Sequence, residues 1–294
     1  MDLAALETIR SLPLWNGTPE VSVLKGGITN RNYRVVDGER SYVVRLGDDI
    51  PIHQISRQNE LAASRAAHAA GISPAVIHHQ PGVLVLDHIC GRTLTPEDIR
   101  SSAYLERIVP LIQVCHQETG RHYRGAAMIF WAFHVIEDYA ATLSDAGSPH
   151  VPRLKDLLRI SRALEAAAGP YDIVFGHNDL LAGNFLDDGE RLWLIDWDYA
   201  GYNTPLFDLG GLASNNELSE AQEVWLLERY FERPARGDLW RRYQAMKCAS
   251  LLRETLWSMV SELHSTIDFD YAAYTADNLA RFERAYDQFQ QSEA

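Results

Sequence analysis

Cysteine is scarce in this chain: Cys90, Cys115 and Cys248 are all that 294 residues contain, far apart and without Cys-x-x-Cys spacing. That rules against a disulfide framework and against a zinc cluster, and leaves buried thiols as the ordinary reading. No run of about 18 apolar residues is present, so no membrane span is expected. The first residues, MDLAALETIR, lack a basic start followed by an apolar core; no secretory signal is visible, and the cytoplasm is the expected location. Positive charge is also short, with 27 Lys and Arg against 40 Asp and Glu, a formal net charge of −13. Such a field repels nucleic-acid phosphates, which argues against a nucleic-acid partner, and it suits a small cationic substrate. Repeats and low-complexity segments are missing as well.

What the chain does have is 46% hydrophobic residues and an alternation of strand-like and helix-like segments. A chain of this length outgrows a single core, so two lobes with a cleft between them are expected. The segment VSVLKGGITNRNYRVVDGERSYVVRLG reads as three strands, the last two joined at Asp37-Gly38. QISRQNELAASRAAHAA reads as a helix stopped by Gly71, and Val76 to Ile89 as two more strands turned at Pro81-Gly82. This gives a small lobe, residues 1–88, of antiparallel sheet with one helix. Residues 89–294 form a large lobe with helices expected at about 101–117, 128–145, 153–168, 218–232, 238–264 and 269–290. The whole is α+β and bilobal, in the manner of protein kinases.

Residues 176–198, GHNDLLAGNFLDDGERLWLIDWD, carry the most chemistry. Phosphoryl transfer asks a protein to align an attacking hydroxyl and neutralise phosphate charge. Asp179 fits the base, a task that does not require a raised pKa, and Asn184 with Asp196 fits a Mg²⁺ site. His177 is expected to bond the backbone and shape the loop. Alternation along a strand would put Asp196 and Asp198 on one face, with Trp197 on the other. In the first turn, Gly26 and Gly27 let backbone approach phosphate, and Thr29 and Asn30 add donors. Arg45, near the end of the third strand, suits the phosphates, with Glu60 on the following helix as its partner. Arg57, one turn before Glu60, competes for that carboxylate.

HNDLLAGNFL, LIDWDYAGYNTPLFDLG and GGITNRNY together resemble the choline/ethanolamine kinase family, within the wider aminoglycoside-phosphotransferase-like and protein-kinase-like group. The resemblance runs from about Val21 to Phe289. It implies an ATP- and Mg²⁺-dependent kinase acting on the hydroxyl of choline, ethanolamine or a similar cationic amino alcohol. Asp179 would be the base, Asn184 and Asp196 the metal ligands, and Gly26, Gly27, Ile28, Thr29, Asn30, Arg45 and Glu60 the nucleotide site. Asp198, Asn203, Glu254, Trp257 and Tyr274 would serve the substrate side, with Asn203 and Asp208 also bracing the site. Aromatic faces around a quaternary ammonium contribute about 0.5–2 kcal/mol each.

Two positions depart from the family. Glu254 stands where a second Trp is common, three residues before Trp257, and a carboxylate there can pair with a primary ammonium or with Arg253. The acidic residue expected after Phe207-Asp208 is not plainly matched; Asn215, Asn216 and Glu217 occupy that region. Thiamine, aminoglycosides, homoserine and sugars remain alternative acceptors, and a catalytically dead regulatory protein a further alternative. A protein kinase is disfavoured by the lack of Asp-Phe-Gly and Ala-Pro-Glu.

Overall fold

The computed structural model describes residues 3–24 and 30–293. Helix α1 (Leu3–Arg10) precedes strands β1 (Glu20–Leu24), β2 (Arg31–Asp37) and β3 (Arg40–Leu46), and helix α2 (Arg57–Ala69) separates these from β4 (Val76–Gln80) and β5 (Val83–Asp87). The five strands form one antiparallel sheet in the order β1-β2-β3-β5-β4. Alternation gives the sheet its apolar face: Tyr33 and Val35 of β2, Tyr42 and Val44 of β3, and Val83 and Val85 of β5 are buried against Ala5, Ile9 and Leu12. Helix α2 begins where Ser56 Oγ accepts the N–H of Asn59 and ends before Gly71, whose φ of +80° suits glycine. Its buried Ala63 and Ala67, with flanking Ile55 and Ile72, belong to the large core of the helical part.

The second part begins with β6 (Arg92–Thr93), α3 (Pro96–Ile99) and α4 (Ser102–Val114), continued by a π-helical turn, Cys115–Thr119, and the short α5 (Gly120–His122). Then come α6 (Ala132–Asp145), α7 (Val151–Ala168), and the short strands β7 (Val174–Gly176), β8 (Phe185–Asp187), β9 (Leu192–Leu194) and β10 (Gly201–Asn203). Helices α8 (Pro205–Asn215), α9 (Glu220–Phe231), α10 (Asp238–His264) and α11 (Tyr271–Glu293) complete the chain. Helix α10 is the axis of this part, packed on α11, α8, α7 and α6, with 20 of its 27 residues buried.

The expected α+β architecture and the five-stranded sheet are present. Helix α8 is the longest element that sequence reasoning missed. Pro205 opens it, as proline does at a first helical turn, but the Gly210-Gly211 pair hides its helical character. Gly210 serves packing instead: a Cβ there would sit 2.8 Å from Lys247 Cα, so α8 can lie against α10 only without one. No helix among the described residues is long and apolar enough to cross a membrane.

Candidate active site

The loop after β7 is held from below by one carboxylate. Asp208, in the first turn of α8, accepts the backbone N–H groups of His177 and Asn178 at 2.8 and 2.7 Å. His116 Nε2 lies 2.8 Å from the same carboxylate, brought there by the π-helical turn, and His116 Nδ1 lies 2.7 Å from the Tyr230 hydroxyl. Burial would raise Asp208, but the His116 hydrogen bond and charge hold it below the usual carboxylate range. Gly176 makes room, since a Cβ there would stand 2.9 Å from Asn178 Oδ1 and 3.1 Å from Asp208 Oδ2.

Asn178 takes a left-handed conformation, φ +64°, and its Nδ2 donates to the carbonyls of Tyr199 (2.9 Å) and Gly201 (3.2 Å). Asn203 Nδ2 donates to Asn178 Oδ1 at 3.1 Å. His177 does bond the backbone: its Nε2 lies 2.9 Å from the Ile195 carbonyl, and burial lowers its pKa, so it is neutral.

Asp179, half-buried, emerges from this braced loop. Asn184 Nδ2 donates to the Asp179 carbonyl at 2.8 Å and leans on its carboxylate at 3.4 Å. Burial, then the charges of Glu254, Asp196 and Asp198, push the Asp179 carboxyl up to about 8 against the opposing pull of Arg253. That shift arises from burial in the folded chain first, and only then from the three carboxylates that folding brings near.

From β3 of the sheet, Arg45 Nη1 meets Glu60 at 2.5 Å, Asp196 at 2.9 Å and Asp198 at 3.0 Å. Arg57 Nη1 meets Glu60 at 2.7 Å and Asp198 at 2.8 Å, so it shares the carboxylate for which it was a competitor. Asn30 Nδ2 donates to Asp198 at 2.8 Å. Although burial opposes it, Arg45 holds Asp196 below its ordinary range; burial and the facing Asp196 charge push Asp198 up.

Strand alternation is not what brings Asp196 and Asp198 together. Strand β9 ends at Leu194, and Asp196 lies beyond it with φ +68°, a left-handed conformation that turns both carboxylates onto Arg45. Trp197 goes the other way, its Nε1 donating to Ser73 Oγ at 3.0 Å. Asp198 and Asn203 were expected on the substrate side. Asp198 is 3% exposed and committed to Arg45, Arg57 and Asn30, while Asn203, 1% exposed, braces the loop. Gly26, Gly27, Ile28 and Thr29 lie outside the described residues.

Among the described residues no three His, Cys, Asp or Glu side chains gather as a metal cage. The donors present, the Asn184 amide and the Asp196 carboxylate beside Asp198, suit Mg²⁺, which takes one or two carboxylates and fills its other positions with phosphate oxygens and water. Asn184 Nδ2 is occupied by Asp179, which leaves the amide oxygen as the ligand atom.

The third side of the site comes from α10 and α11. Glu254 accepts the Tyr274 hydroxyl at 2.8 Å and Arg253 Nη1 at 2.6 Å. Arg253 is buried, its guanidinium carbon 4.4 Å from the centre of the Tyr199 ring. Trp257, 4% exposed, donates its Nε1 to the Tyr199 hydroxyl at 2.9 Å, with Tyr271 and Tyr274 at ring-centre distances of 6.1 and 6.4 Å. Asn178, His116 and Tyr199 escaped sequence reasoning, whereas the Arg253–Glu254 pair, one of the two expected partnerships of that carboxylate, is present. Asn178 alone had a signal, its place inside the His-Asn-Asp run.

Residues 21–225 match the model of the family described as choline/ethanolamine kinase. The chain belongs to that family. It is a phosphotransferase whose acceptor is an alcohol group. Rat ethanolamine kinase 2 is 28% identical over 305 aligned positions, spanning 92% of this chain and 77% of the relative. A crystal structure of a choline/ethanolamine kinase family protein from Mesorhizobium loti is 31% identical, covers 96% of this chain and 93% of that one, and superposes with a TM-score of 0.77. LicA in complex with AMP shares the fold at 24% identity, with a TM-score of 0.76 over 99% of this chain and 98% of its own.

Proposed function

We infer that this choline/ethanolamine kinase family member transfers the γ-phosphoryl group of ATP, with Mg²⁺, directly to the hydroxyl of choline or a related amino alcohol. Asp179 aligns that hydroxyl and receives its proton. Mg²⁺, held by Asn184 and Asp196 when bound, neutralises phosphate charge. Arg45, steadied by Glu60 and Arg57, contacts the phosphates, and Asn30 belongs to the same nucleotide side. The AMP bound to LicA supports an adenine nucleotide here.

The reading is supported by one arrangement: Tyr199, next to Asp198, joins the loop that carries Asp179 to helix α10, its carbonyl accepting Asn178 Nδ2 and its hydroxyl accepting the Trp257 N–H one turn beyond Glu254. In an amino alcohol the hydroxyl and the ammonium are only two carbons apart, so the base and the cation-binding carboxylate must be close neighbours. Glu254, oriented by the Tyr274 hydroxyl, supplies that carboxylate, and Trp257 with Tyr274 supplies aromatic surface. A carboxylate accepts N–H groups that a quaternary ammonium lacks, which favours ethanolamine over choline.

The test is ADP release with Mg·ATP against choline, ethanolamine, thiamine, an aminoglycoside, homoserine and sugars, corrected for acceptor-free hydrolysis. Turnover confined to amino alcohols is expected. Asp179→Ala should lose at least about 100-fold in kcat with Mg·ATP affinity nearly intact, and retention of more than about a tenth of the activity would remove Asp179 from the role of base.

A further inference from the structure

The connection between β3 and α2 does not stay with the small sheet. Ile50 and Ile55 pinch it closed through reciprocal backbone hydrogen bonds of 3.0 and 3.1 Å. Between them Pro51–His53 form a 3₁₀ turn, and Gln54 turns back with φ +58°. The tip is docked in the helical part. Gln54 Nε2 donates to Asp138 on α6 at 2.7 Å. His53, 6% exposed, lies with its ring centre 5.0 Å from that of Trp257 and tilted only 30° from it, and meets Tyr139 edge-on at 5.9 Å. Its Nε2 lies 3.2 Å from Ser261 Oγ, one turn beyond Trp257 on α10.

Trp257 is therefore fixed from several directions. Tyr199 holds its N–H, Tyr271 and Tyr274 approach at longer ring distances, and His53 is the ring packed on it at closest range. A histidine is a costly way to fill such a place, because its Nδ1 is buried without a hydrogen-bond partner. Burial first, then the charges of Arg253 and His264, take its pKa down to about 3. The ring is thus neutral at any working pH and adds no positive charge beside a pocket that receives a cation.

We propose that His53 is a positioning residue for acceptor selectivity: by backing the Trp257 ring, it sets how large an ammonium group the pocket accepts. The proposal rests on the assignment of Glu254 and Trp257 to the acceptor site. Removing the imidazole lets Trp257 fall back, so Glu254 loses its close fit to a small ammonium while a trimethylammonium gains room.

The experiment is steady-state kinetics of the full-length chain with choline and with ethanolamine, each at varied Mg·ATP. In His53→Ala the ratio of kcat/KM for choline to that for ethanolamine should rise at least about ten-fold, the lower end of what one methylene makes in a fitted pocket. The KM for ATP should stay within about two-fold, and His53→Phe, which keeps a ring against Trp257, should return the ratio towards wild type. If His53→Ala does not fold, Ser261→Ala frees the imidazole and should move the ratio the same way by less. An unmoved ratio in an active, folded variant overturns the proposal, as does an ATP KM that rises in step with both acceptors. Wild-type silence with every amino alcohol would instead overturn the acceptor assignment, and this proposal with it.

Discussion

Asp179 carries two consequences that can be measured. Burial keeps its proton on in the folded chain up to about pH 8, whereas the unfolded chain releases it at about 4. Between those values the folded state binds more protons, so stability falls as pH rises. Asp179→Asn escapes that loss, and its gain in Tm over wild type should be larger at pH 8 than at pH 5 by scanning calorimetry. In its proposed role as base Asp179 must be ionised, so kcat/KM should climb with pH through about 8. Removing one of the raising charges with Glu254→Gln should move that limb to lower pH, and a limb that stays put would mean that Glu254 is remote from the base. Asp179, Asn184 and Asp196 were legible in the sequence because they sit within 18 positions of one another in a spacing that the chemistry dictates. His116 was not, because it reaches the site from a distant helical turn and belongs to no local pattern. The left-handed turn at Asp196 was hidden too, since tertiary ion pairing holds a carboxylate residue in a conformation its own propensity does not favour.

Among the elements, α8 and α10 show how packing overrides local propensity. Helix α10 was legible from end to end, because a long stretch of helix formers needs no partner to declare itself. Helix α8 reads as a loop around Gly210-Gly211, yet those glycines are what let it approach α10 and present Asp208 to the catalytic loop. Gly210→Ala should therefore cost about 1–3 kcal/mol in urea denaturation by forcing the helices apart. Gly183→Ala, where a Cβ meets nothing within 4 Å, is the comparison expected to cost little. The Gly210 variant should also lose turnover, because Asp208 moves with α8. The sheet strands were legible by alternation and glycine turns, whereas β6 and β10, of two and three residues, are too short to show a period.

Across the whole molecule the two apolar cores are very unequal. Among the described residues, the sheet and its N-terminal segment share a small core of nine buried side chains, whereas α2 and the helical part form one much larger core running through α10. Resistance to local opening follows buried apolar contact, so amides of β1 to β3 should exchange with deuterium well before those of α10, by mass spectrometry of the intact chain. Slower exchange in β2 than in α10 would contradict this ordering. Glu254 and Trp257 ride on the stable axis, while Arg45 rides on the strand expected to open early. With Arg45 serving ATP and Glu254 the acceptor as proposed, the protein on warming should go deaf to ATP before it goes deaf to the acceptor, and an acceptor added alone should do little to protect the half that fails first.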